Sequence, residues 1–235
     1  DRVTDTVTAN TTAVRVLIDH HLHPPVDGYA VQFSDTHACS TSYIVYQLLE
    51  ALAGTDAIDQ AMAESLYVGI MTDTGNFSFS SLTSDLFRAV AVLIDKGVNV
   101  PYVNSSVYNN FSEGRMRLLG YMLNDKMVTD YEFGVAYVSL TEEEMRRFDF
   151  IQGDSEGFVN YPLSIRGIRM SAMFIQTKHS IRVSLRSRGE VDVNVFARRY
   201  FDGGGHRNAA GGKSYVPMNE TLENFRKYLR EYFGA

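Results

Sequence analysis

Apolar and polar positions follow two different rhythms along the chain, and the change falls near residue 110. AVRVLID at 13–19 is a compact, β-branched run that predicts a buried strand ending at Asp19. STSYIVYQLLEALAG (40–54) then predicts a helix begun by Ser40 or Thr41 and stopped by Gly54. DQAMAESLYVGIM (59–71) predicts a second helix that runs into TDTGNFSFS, and TSDLFRAVAVLIDKG (83–97) a third, opened by Thr83 and closed by Gly97. A strand followed by helices on short connections points to an α/β unit, a parallel sheet covered by helices.

After that the pattern is hairpin-like. SEGRMRLLGYMLNDK (112–126) carries Met116, Leu119, Met122 and Leu123 at helical spacing and predicts a connecting helix. MVTDYEFGVAYVSL, a capping box from Thr141 to Glu144, the alternating strands IRMSAMFI and SIRVSLRSR on either side of QTKH, and a closing helix in ETLENFRKYLREYF predict a smaller α+β unit. The expected division is residues 1–111, a linker helix at 112–126, and residues 127–235.

Composition narrows the classes. Hydrophobic residues at 45% and charged residues at 21% describe a globular chain, and a net charge of -6 excludes a broadly basic nucleic-acid coat while allowing a local basic strip. Cys39 is the single cysteine, so no intrachain disulfide forms, and a reducing, cytoplasmic setting is expected. No apolar run reaches membrane-spanning length, no signal peptide is evident and no short-period repeat is present.

Three stretches carry chemistry. LIDHHLH sets three of the six histidines within four positions, two directly behind an acid and at the carboxyl end of a strand, where open α/β sheets keep their sites. In an extended tripeptide alternate side chains point to opposite sides, so Asp19 and His21 do not easily share one ion with His20. YFDGGGHRNAAGG (200–212) has three glycines free to adopt positive φ and to present N–H groups to an anion, followed by His206; as a pattern it also fits an ordinary turn. RVSLRSRG puts Arg182, Ser184, Arg186 and Arg188 on one strand face and Val183, Leu185 and Ser187 on the other, which reads as a phosphate-binding strip or a solvated edge.

DHH at the end of a strand, MTDTGNF about fifty residues on, and GGGHRNAAGG near the C-terminus, in that order, resemble the DHH phosphoesterase superfamily with its DHH-associated C-terminal domain. The likeness is to the nanoRNase/pAp phosphatase branch, relatives of RecJ-type exonucleases, and it extends through GDSEGFVNYPLSIRG and RVSLRSRG. It implies His20 and Asp73 as metal ligands, Asp19 orienting a neighbour, and His21 as a donor to the substrate phosphate. It further implies that Arg186, Ser187, Gly203, Gly204, Gly205 and His206 hold the substrate. Two manganese ions, or magnesium in their place, would activate water against a phosphodiester in short single-stranded oligonucleotides or in pAp. No membrane partner is implied, and homodimerisation stays open. The roles of His23 and His37 stay open too.

The family's first two aspartate motifs precede DHH, whereas this sequence opens on DRVTDTV, where Asp1 and Asp5 do not occupy strand ends. The resemblance therefore implies further carboxylates upstream. Within the same superfamily, cyclic-dinucleotide phosphodiesterase, single-strand exonuclease and exopolyphosphatase activities remain alternatives, as does a non-catalytic nucleotide-binding remnant. RNA and DNA are not distinguished.

Overall fold

The computed structural model describes residues 12–21, 24, 27–79 and 82–234. Asp1, Asp5 and His23 lie outside them. The chain divides into two compact units, residues 1–109 and 110–235.

The first unit pairs β1 (Val16–Asp19) with β2 (Val31–Ser34) in parallel, Asp19 opposite Ser34. Helices α1 (Thr41–Ala53), α2 (Gln60–Asp73), α3 (Ser84–Asp95) and α4 (Val100–Tyr108) follow. The caps are local chemistry: Ser40, Asp59, Thr83 and Asn99 each accept an N–H of the first turn. Gly69 of α2 lets α1 approach, since a Cβ there would lie 1.9 Å from Ser42 Oγ. The core is Tyr46, Leu66, Tyr67, Ile70, Met71, Leu86, Ala89 and Leu93. β1 differs from the expected buried run: it begins at Val16 and is only half-buried, and β2 is exposed. Two short strands have little apolar face to share, so the helices carry this unit's core. No helix among the described residues is long and apolar enough to cross a membrane.

The second unit opens with α5 (Glu113–Tyr121), which widens into a π-helical turn at Met122–Lys126. Its buried residues are Arg115, Leu118, Leu119 and Met122, whereas Met116, expected on the apolar face, is 51% exposed. A six-stranded sheet follows in the order β3-β4-β5-β6-β8-β7. Its strands are β3 (Val128–Asp130), β4 (Val135–Leu140), β5 (Met170–Gln176), β6 (Ile181–Ser187), β7 (Gly204–His206) and β8 (Ala209–Ser214). Pairings are antiparallel except β4 with β5. β5 does not alternate: it is buried on both faces, because α7 (Val193–Tyr200) and α8 (Met218–Phe233) pack on one side while α5 and a 3-10 segment, Phe158–Ser164, cover the other.

The capping box forms as Thr141–Glu144 at the start of α6 (Glu142–Arg146). Burial raises the Glu144 pKa, but Lys126 Nζ at 2.5 Å, the Thr141 N–H and the Tyr121 hydroxyl together outweigh it and hold the carboxyl at about 2. A carboxylate depressed from its ordinary 4.5 stabilises the fold fully above that pH and loses the contribution as pH falls toward 2. Glu144→Gln is expected to cost about 1–3 kcal/mol at neutral pH, measured by urea unfolding, and to flatten the acid limb of the stability curve. An acid limb as steep as that of the parent would assign that pH dependence to other groups.

Candidate functional site

In the first unit the end of β1 and the end of α2 bring His20 and Asp73 together, with Nε2 to Oδ2 at 3.7 Å. His20 Nδ1 lies 3.3 Å from the Ala38 carbonyl. A proton on Nδ1, donated there, leaves the Nε2 lone pair facing the carboxylate, the arrangement that orients an imidazole toward a cation. Asp73 is the last residue of α2, at the negative end of the helix dipole and with no basic residue in the final turn. A carboxylate is disfavoured at that end, and a bound cation would offset the cost. The turn after it is strained: Gly75, Asn76 and Phe77 all have positive φ, at 57°, 56° and 58°. Buried Thr74 fastens it, its hydroxyl donating to Ile70 O at 2.7 Å and accepting the Phe77 N–H at 3.1 Å.

Asp19 turns onto His21. Its Oδ1 accepts from His21 Nδ1 at 2.6 Å and from the His21 backbone N–H at 3.2 Å. Burial alone would raise the Asp19 pKa, but these bonds prevail and hold it below the ordinary carboxylate value. The two histidines do not diverge as an extended tripeptide would. Their rings meet edge to face with centroids 4.4 Å apart, because the strand ends at Asp19 and the chain bends. His37 is exposed and its backbone N–H closes a turn onto Asp35.

The second unit presents a polar face. Register sets Arg182 opposite Lys213, Ser184 opposite Gly211 and Arg186 opposite Ala209; His206 pairs with Ala209 and Gly204 with Gly211. Cross-strand partners share a face, so Arg182, Ser184, Arg186, Gly211, Gly204 and His206 line one side of β6, β8 and β7. Val183, Leu185 and Ala210 face the other way, into the core with Phe196 and Phe225. Arg186 is partly buried, which lowers its pKa, while Glu156 acts to raise it; its Nη1 donates to Leu185 O at 2.9 Å. A half-desolvated guanidinium on a face of small residues suits a phosphate.

Two expectations drawn from the sequence change here. Ser187 lies on the opposite face from Arg186 and is buried; its hydroxyl donates to Val191 O at 2.7 Å and accepts from Asn208 Nδ2 at 2.9 Å, so it braces the turn and does not reach the polar face. The glycine run is an edge strand, not an open anion loop. The Gly203 N–H donates to Ala197 O and the Gly205 N–H to Asn194 Oδ1. What requires glycine is backbone approach: a Cβ on Gly203 would meet Gly211 O at 2.0 Å, and one on Gly205 would meet Ala209 O at 2.5 Å. The sequence pattern also gave no sign of Ser155, whose buried hydroxyl accepts from Arg182 Nη2 at 2.9 Å. Only the small residues of GDSEG hinted at a close approach there.

Residues 131–235 match the DHHA1 domain. The bifunctional oligoribonuclease and PAP phosphatase NrnA of Bacillus subtilis is 32% identical over 203 residues, which is 84% of this chain and 62% of that relative. The chain thus carries a DHHA1 domain and is similar over most of its length to NrnA-type proteins. An exopolyphosphatase-related protein from Bacteroides fragilis, 38% identical, superposes with a TM-score of 0.90 over 96% of this chain and 66% of its own. The cyclic-di-AMP phosphodiesterase GdpP of Bacillus subtilis is 28% identical over 93% of this chain and 32% of that protein. The chain thus spans a little under two thirds of the length of that NrnA. Its DHHA1 segment contains the polar face of β6, β8 and β7 in full.

Proposed function

We propose that the protein is a metal-dependent phosphoesterase that cleaves short oligonucleotides, and pAp, to mononucleotides in the cytoplasm. The observation that carries this reading is the approach of His20 Nε2 to Asp73 Oδ2 at 3.7 Å, with the other ring nitrogen turned to a carbonyl. That separation suits two donors on one divalent ion better than a direct hydrogen bond, and imidazole with carboxylate is a donor set for manganese, with magnesium the harder alternative. When bound, such an ion polarises phosphoryl oxygens and brings water close to deprotonation at neutral pH.

The remaining work falls to the chain's own side chains. Asp19 accepts from His21 Nδ1 and so fixes the ring; in the imidazolium form, which donates from both nitrogens, His21 Nε2–H can then reach a phosphate oxygen. Arg186 and the His206 edge hold a substrate phosphate on the second unit's polar face. The likeness to GdpP supports a second reading, a cyclic dinucleotide substrate, with the same groups in the same roles.

The test is turnover by the full-length protein with manganese on a dinucleotide, pAp, cyclic di-AMP and polyphosphate. Mononucleotide from the dinucleotide and phosphate from pAp are expected, both lost with a chelator. Preference for the cyclic dinucleotide would move the assignment to the second reading, and binding without turnover would leave a nucleotide-binding module.

A further inference from the structure

Arg115 in α5 is only 6% exposed, and no ion pair to it is present among the described residues. Its guanidinium carbon sits 3.6 Å over the Phe111 ring centroid and 4.8 Å from that of Phe158. Nη2 donates to the Glu156 carbonyl at 2.8 Å, while Nη1 is buried without a hydrogen-bond partner. A buried charge with an unsatisfied donor is expensive, and leucine or methionine would fill the same helix face more cheaply if packing were all that mattered. The arginine is kept for what it holds.

What it holds is the segment Asp154–Phe158. Asp154 is buried and its Oδ2 caps the Ile151 N–H at 2.9 Å, Gly157 turns the chain at φ 81°, and Phe158 anchors the far end at 0% exposure. Between them, Ser155 accepts from Arg182 and Glu156 stands close enough to Arg186 to favour its charge. The segment is thus clamped by Arg115 on one side; on the other it touches Arg182 and lies within electrostatic reach of Arg186. We propose that Arg115 is a positioning residue: by gripping the Glu156 carbonyl it fixes Ser155 against Arg182 and holds Glu156 on the side of Arg186, and so presets the β6 arginines for a substrate phosphate. This rests on the reading that the β6 face binds substrate.

The experiment uses full-length, manganese-loaded protein and pAp. Arg115→Met keeps the length and loses the donor; Phe111→Ala opens the stack at a residue that is already 40% exposed, without emptying the core. Each is expected to raise KM about tenfold with kcat unchanged, as loss of an orienting partner does. Combining Arg115→Met with Ser155→Ala should add little to either alone, since both release the same segment. A purely structural arginine would lower the melting temperature and the active fraction but leave KM alone. Wild-type KM in Arg115→Met and Phe111→Ala, beside a raised KM in Arg186→Ala, overturns the inference and leaves the function standing. Wild-type KM in all three removes the β6 face from substrate binding. If Arg115→Met fails to fold, Phe111→Ala decides by the same criterion.

Discussion

His20→Ala and Asp73→Ala, each made in the full-length protein, are expected to cut metal-dependent hydrolysis by at least about a hundredfold, with the fold retained. The two donors face each other across 3.7 Å from different elements, so losing either breaks the chelate and leaves the other as a single weak ligand. Stability should move little, and for Asp73 in an informative direction. Its side chain is 46% exposed and closes a helix C-terminus, where a carboxylate opposes the dipole, so removing it should stabilise α2 by about 0.3–1 kcal/mol. A variant that melts no lower than the parent and yet has lost manganese and turnover is the signature of a residue kept for chemistry at the expense of stability. Metal analysis, phosphate release and thermal unfolding on the same samples check this. Turnover close to wild type in both variants would dismiss the ligand assignment.

Elements with strong caps and long apolar stripes were legible in the sequence. Thr83 and Gly97 bracket α3, Ser40 and Gly54 bracket α1, and the Thr141–Glu144 box opens α6 where its spacing says it should. Helix α4 was not legible, because Val100, Val103, Val107 and two tyrosines favour strand, although Asn99 followed by Pro101 is a helix-start signal that could have found it. β2 is four exposed residues, too short for the alternation of Val31, Gln32, Phe33 and Ser34 to mark a strand by itself. β7 was hidden by its composition: glycine carries no strand propensity, and only the close approach of Gly203 and Gly205 to β8 explains its place at the sheet edge. At the site, strand alternation separated Arg186 from Ser187, which shows that two residues adjacent in a motif need not share a role. The pairing of His20 with Asp73 joins positions 53 apart in sequence, and the Arg182–Ser155 contact joins positions 27 apart. Neither distance follows from local pattern.

Arg186→Ala is expected to weaken pAp binding by about ten- to a hundredfold, the usual cost of a lost charge-assisted contact to phosphate, with manganese content unchanged. The guanidinium is partly desolvated and its charge is favoured by Glu156, so an arriving phosphate replaces little bound water and meets a side chain already held against β6. Arg186→Lys should recover part of the affinity, since the charge remains but the planar fork does not. His206→Ala, on the same face through its pairing with Ala209, should chiefly raise KM. Ser187→Ala supplies the contrast: its hydroxyl ties Val191 to Asn208 behind the sheet, so it should lower stability by about 1 kcal/mol and leave affinity alone. Calorimetric titration of pAp and a dinucleotide, repeated at two salt concentrations, separates these outcomes, because a phosphate contact weakens with salt while a turn-bracing hydroxyl does not. Unchanged affinity in Arg186→Ala, or an affinity loss in Ser187→Ala equal to it, would mean that the polar face of β6 is an ordinary solvated strand and that the phosphate is held elsewhere.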